Sequence, residues 1–167
     1  MIKDMETEIS TIEEQISRLT DRKRELVKTI SEANKRMNHE KYLKWGVNAN
    51  DCLLLFTKEL HGYHSCLIRG LRIQEVDTVN QYIDYITVDY NEYDYQYTVK
   101  ALEHQVHFSQ LSSFEESFNI YVVPSTVYAS MLASMCNLSI SYKDYKDCEK
   151  EIERVAIRKI SVDIFSK

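Results

Sequence analysis

Apolar residues recur at alternating steps of three and four through the first 37 positions: Ile2, Met5, Ile9, Ile12, Ile16, Leu19, Leu26, Ile30, Ala33 and Met37. Two apolar residues per seven make a stripe too narrow for an ordinary core, yet wide enough to zip one helix against another. With Ile2 at position a, only Lys23 and the terminal Glu40 break the a/d seam. The pattern predicts a coiled-coil helix over 1–40, about 55–60 Å long. A head domain over 41–167 follows. The oligomer interface is expected at the ten apolar residues above together with Lys23.

The flanking positions speak to orientation. A parallel homodimer would oppose Glu8 to Glu13 of its mate and stack the two Lys23 side chains. An antiparallel overlap pairs large with small residues, Ile9 with Ala33 and Ile16 with Leu26, and brings Glu8 near Arg36. It sets Arg22 against Arg22, a contact that long exposed side chains relieve by splaying apart. The antiparallel dimer is the favoured expectation, and Val27 at an e position widens the stripe enough to admit a third helix.

A head of about 125 residues is large enough for a real core. Hydrophobic content of 44%, three Gly and one Pro describe an ordered chain without long flexible linkers. The first 20 residues lack the apolar block of a signal peptide, and no run long enough to span a membrane occurs. Cys52, Cys66, Cys136 and Cys148 show no CxxC spacing, so reduced thiols and a cytoplasmic or nuclear location are expected. The net charge of −5 disfavours direct nucleic-acid binding, which rests on clustered Lys and Arg.

The head reads as α+β, with a mostly antiparallel sheet and several short helices. Asn48, Ala49, Asn50 and Asp51 form a turn-prone cluster before 52–60, where a capped helix closed by Gly62 is expected and a buried strand is the rival. Alternation predicts a strand over 66–76 and a Tyr-rich hairpin, 82–90 and 93–102, turning at Asn91 and Glu92. Val106 and Phe108 suggest a further strand, and Ser112 with Glu115 has capping-box spacing. A strand over 120–123 ends at Pro124, and a helix follows whose Val127, Met131 and Met135 face the core and which Asn137 closes. Leu138, Ile140 and Tyr142 read as a strand, Asp144 as the cap of a helix over 145–154, and Ile160, Val162 and Ile164 as a closing strand.

Chemistry-bearing motifs are sparse. His61 with His64, and His104 with His107, have a spacing that joins two imidazoles on a helix, but Gly62 argues for a turn and a strand would send such pairs to opposite faces. No metal and no cofactor are expected. A carboxylate nuclease built from Asp84, Asp89 and Asp94 with Lys100 meets the same objection, since a spacing of five separates Asp84 from Asp89. Phosphate-cradling glycine loops, nucleophile elbows and HExxH are absent from the sequence.

The most polarised stretch runs from Ile73 to Val99 without Lys or Arg, and gathers Glu75, Asp77, Asp84, Asp89, Glu92 and Asp94 beside six tyrosines. Tyrosine suits interfaces, carrying large area at low rotamer cost. Glu75, Asp77, Asp84, Asp89, Asp94, Tyr90, Tyr93 and Tyr95 are the candidate surface for a basic protein partner. These features favour a non-enzymatic, oligomeric protein–protein interaction module. Heavy use of Ile, Tyr, Lys and Asn fits an AT-rich genome, which makes a small viral or phage effector acting on host machinery the second reading; a metal-dependent enzyme is third.

Overall fold

The computed structural model describes residues 2–58, 67–91, 102–137 and 142–160. It divides into two compact units, Met1–Met37 and Asn38–Lys167. One helix, α1 (Ile2–Trp45), contributes the whole of the first unit and opens the second; its 44 residues make about 66 Å of helix. Neither Gly nor Pro interrupts it, and exposed pairs such as Glu14–Arg18 at 2.6 Å and Arg22–Glu25 at 3.1 Å support it. The hydroxyls of Thr7, Thr11, Thr20 and Thr29 donate to carbonyls four residues back.

The helix does not stop at residue 40, where the seam ends. It continues to Trp45 because its last turns have found a core: Tyr42 stacks on Phe108 with centroids 4.6 Å apart, and Trp45 is buried. Gly46, at φ +54°, then turns the chain, its N–H donating to the Tyr42 carbonyl at 2.8 Å. The Arg158 guanidinium donates to the Trp45 carbonyl, placing a cation on the negative end of the helix.

Beyond α1 the chain forms β1 (Cys52–Thr57), β2 (Leu67–Asp77), β3 (Tyr82–Asn91), β4 (Leu102–His107), a 3-10 turn (Phe108–Gln110), α2 (Leu111–Ser117), β5 (Phe118–Val123), α3 (Ser125–Asn137), α4 (Tyr142–Val155) and β6 (Arg158–Ile160). The fold is α+β. Among the described residues six antiparallel strands form one sheet in the order β4-β3-β2-β1-β5-β6. Helices cover both faces. Trp45, Leu53, Leu55, Ile73, Ile83 and Leu111 share one core with the end of α1 and with α2; Leu54, Phe56, Tyr121, Tyr128 and Ile152 share the other with α3 and α4.

The expected helix over 52–60 is instead β1. Leu53, Leu54, Leu55 and Phe56 are all fully buried because β1 lies inside the sheet between β2 and β5, with a core on each side. A strand buried on both faces has no polar side, so its sequence loses the alternation that marks a strand. The turn cluster before it survives: Asn50 takes φ +73° and the Asp51 carboxylate accepts from the Asn48 N–H at 2.8 Å.

Three other expectations shift. The Ser112 and Glu115 capping box is absent; α2 starts from Gln110 with no side-chain cap, while His107 and Gln110 form a capping box around the 3-10 turn. Tyr82 pairs with His107, whereas a tight turn at Asn91 and Glu92 would have set it opposite residue 101. Tyr142 belongs to α4, which begins ahead of position 144, so that position lies within the helix and not at its start. Gly62, Tyr93, Leu138, Ile140, Val162 and Ile164 lie outside the described residues.

Gly46 supplies the first prediction. A methyl there would force a left-handed conformation that costs an L-residue about 1–2 kcal/mol, and its Cβ would come within 3.4 Å of Arg158 Nη2 and the Leu43 carbonyl oxygen. Gly46→Ala should lower the unfolding free energy by that amount, read as a lower urea midpoint at unchanged m-value; an unshifted midpoint would show that the turn relaxes freely.

Candidate functional site

On α1 the seam residues form one stripe about 53 Å long from Ile2 to Met37. Ile2, Met5, Ile9, Ile12, Ile16, Leu19, Leu26, Ile30 and Met37 are all exposed, from 47% at Ile12 and Leu26 to 71% at Ile2. Lys23 and Ala33 on the same stripe are exposed too. Single exposed apolar residues are ordinary on any surface, whereas a continuous stripe of them makes a candidate interaction face. Val27 adds a tenth large apolar side chain beside the stripe.

In the second unit, strand register sorts the acidic residues. Along β3, Ile83, Tyr85 and Thr87 are buried, and Tyr82, Asp84 and Ile86 take the opposite face. Asp84 is paired across to Glu75 on β2 and to Gln105 on β4, whose Nε2 donates to Asp84 Oδ1 at 2.8 Å. Ile86 is paired across to Arg72 and Glu103. Glu75, Asp84 and Glu103 therefore share one face of the β2-β3-β4 end of the sheet. Arg72 is the basic residue beside them.

A β-bulge makes this arrangement. Register shifts between Ile73 and Glu75, so that Gln74 has no partner across the strand. Strict alternation from Leu71 and Ile73 would aim Glu75 at the core; the extra residue turns Glu75 outward to meet Asp84 and lets Val76 pack inward. Like charges directly opposite each other destabilise a sheet.

The other candidates separate from this group. Asp77 serves the β2–β3 turn: one carboxylate oxygen accepts from the Val79 and Asn80 N–H groups at 2.9 Å, and the other accepts from Asn80 Nδ2 at 2.7 Å. Those bonds, from Asn80 foremost, hold its carboxyl below the usual range. Asp89 is paired with Arg69, at a register position on the face opposite that of Asp84, and Tyr90 is paired with Ile68. Tyr93, Asp94 and Tyr95 lie outside the described residues. Glu103 escaped notice because only the β3–β4 register places it here.

Buried polar groups are fully employed in holding the fold. Glu115 accepts from Trp45 Nε1 at 2.8 Å and from Lys44 Nζ at 3.0 Å, and its carbonyl accepts from Lys58 Nζ. On the other face of the sheet Glu149 accepts from Asn119 Nδ2 at 2.7 Å, the Tyr121 hydroxyl at 3.1 Å and Lys146 Nζ at 3.4 Å. Burial, and then the charge of Glu149, push the Tyr121 hydroxyl well above its ordinary value. No buried side-chain N or O atom among the described residues lacks a hydrogen bond.

Burial also pushes the Cys148 thiol up to about 11 and raises that of Cys52, so neither is a thiolate at neutral pH. His104 and His107 lie on opposite faces of β4, the first stacked on Tyr85 and the second edge-on to Tyr82. His61, His64, Cys66 and Lys100 lie outside the described residues. Among the described residues no cluster of three His, Cys, Asp or Glu is placed to hold a metal ion, and no helix is long and apolar enough to cross a membrane. No family model, curated protein or solved structure matches the chain.

Two outcomes follow. Glu75→Lys, which exchanges a like-charge cross-strand pair for an opposite one, should raise unfolding free energy by about 0.5–1 kcal/mol; a loss of stability would mean that Glu75 and Asp84 do not face each other. Native-state alkylation at pH 8, read by peptide mapping, should leave Cys52 and Cys148 unmodified until the chain is unfolded. Rapid labelling would contradict the buried Cys52 thiol or the partly buried, protonated Cys148 thiol.

Proposed function

We propose that this chain is a non-enzymatic, self-associating protein-interaction module, in which the α1 seam zips copies together and the acidic sheet face docks a basic protein partner. The continuous exposed stripe on α1 carries the reading. Each of its nine large apolar side chains keeps about half or more of its surface in water, and covering one contributes on the order of 1 kcal/mol. A helix that carries so long an exposed apolar stripe gains most of its tertiary stability from a second helix.

The acidic face supports the second half of the reading. Glu75, Asp84 and Glu103 gather negative charge on a sheet face where the first two lie directly across from each other. A Lys- or Arg-bearing partner would relieve that repulsion, and the same field would turn away a phosphate backbone. We place the protein in a reducing compartment, cytoplasm or nucleus, where free thiols such as Cys52 and Cys148 persist.

Sedimentation velocity at micromolar concentration tests the first half. The wild-type chain should run as an oligomer and the Ile16→Asp, Leu26→Asp double variant as a monomer with its sheet intact by far-UV circular dichroism. A wild-type monomer would sink the self-association reading. For the second half, calorimetry with a lysine-rich peptide should give salt-sensitive binding that the Glu75→Lys, Asp84→Lys variant loses; equal binding by both would place any docking surface elsewhere.

A further inference from the structure

The charges of α1 fall into two blocks. From Ile2 to Asp21, six acids (Asp4, Glu6, Glu8, Glu13, Glu14 and Asp21) stand against two bases, a net of −4. From Arg22 to Met37, six bases (Arg22, Lys23, Arg24, Lys28, Lys35 and Arg36) stand against two acids, a net of +4. The apolar stripe crosses both blocks without a break in exposure. Its occupant must therefore match a helix that is acidic in its first half and basic in its second.

We propose that the occupant is a second copy of α1 running antiparallel, with the two-fold axis close to Asp21. This rests on the self-association reading and specifies its geometry. A parallel mate would lay acidic block on acidic block and basic on basic; an antiparallel mate lays each block along its opposite, so the complement is the chain itself. Centred near residue 21, the seam forms layers of Met5 with Met37, Ile9 with Ala33, Ile12 with Ile30, and Ile16 with Leu26 of the second copy.

The same register resolves the seam's polar position. Lys23 falls beside Leu19 of the second copy, and the two Lys23 residues are offset by about 6 Å along the axis where a parallel pair would stack them. Glu8 meets Arg36 of the second copy on both sides of the dimer. Arg22 meets Arg22 at the axis, but each donates to Glu25 of its own helix at 3.1 Å, so a carboxylate accompanies each guanidinium.

Sedimentation equilibrium of the full chain, as wild type, Glu8→Lys, Arg36→Glu and the double charge swap, tests this. Antiparallel pairing expects each single reversal to weaken dimerisation about three- to tenfold, since it turns two surface ion pairs per dimer repulsive, and the double swap to restore it. Raising salt from 50 to 500 mM should weaken the wild-type dimer by screening the attraction between blocks. Tighter association of Glu8→Lys, which would relieve the Glu8–Glu13 contact of a parallel pair, or dimerisation strengthened by salt, overturns the antiparallel geometry and leaves self-association standing. A wild-type trimer or tetramer overturns it as well, and a wild-type monomer overturns both.

Discussion

The architecture of the second unit depends on the two-sided burial of β1. A strand whose Leu53, Leu54, Leu55 and Phe56 are all fully buried must be paired along both edges and covered on both faces. Antiparallel neighbours β2 and β5 supply the edges; the end of α1 with α2, and α3 with α4, supply the faces. Each cover is fastened by one buried carboxylate. Glu115 ties α2 to Trp45 and Lys44, and Glu149 ties α4 to Asn119 and Tyr121 of β5. Removing a partner from such a group strands a buried charge or donor, a far greater loss than an exposed pair on α1 represents.

What the sequence reveals follows from this layering. Stretches with one solvated face announce themselves: alternation marks β2 from Leu71 to Ile73 and β3, and the break at Pro124 marks the boundary between β5 and α3. β1 does not, since burial on both faces erases its period. Glu115 misleads in a related way, for its spacing from Ser112 satisfies a local rule while its carboxylate is claimed by Trp45, 70 positions away in the chain. The bulge at Gln74 does leave a trace, because the apolar phase of Leu71 and Ile73 jumps by one residue to Val76. An insertion of one is what separates an inward Glu75 from an outward one.

The acidic surface was half legible for the same reason. Composition singles out the stretch without Lys or Arg, but a surface is made by neighbours across strands. Register keeps Glu75 and Asp84 together, assigns Asp77 to a turn, sets Asp89 on the other face and recruits Glu103 from β4. Tyr85, from the same acidic stretch, spends its area on the core. Carboxylates rather than tyrosines define the described part of this face.

The acidic sheet face forgoes stability available by simple substitution, and the α1 stripe keeps apolar surface in water. Lysine at position 75 would replace repulsion with attraction, and polar residues along the α1 stripe would remove apolar surface from water. Other local choices agree with the fold: no buried polar side-chain atom among the described residues is orphaned, exposed pairs such as Glu14–Arg18 and Arg22–Glu25 form within α1, and Gly46 sits where a left-handed residue is required. On the function proposed above, the sheet face and the stripe are positions where binding rather than folding sets the residue. The two differ in what they ask of a partner. On the proposed reading the sheet face, acidic but for Arg72, calls for a basic partner, whereas α1 carries both signs in equal and separate blocks, and a helix built that way contains its own complement.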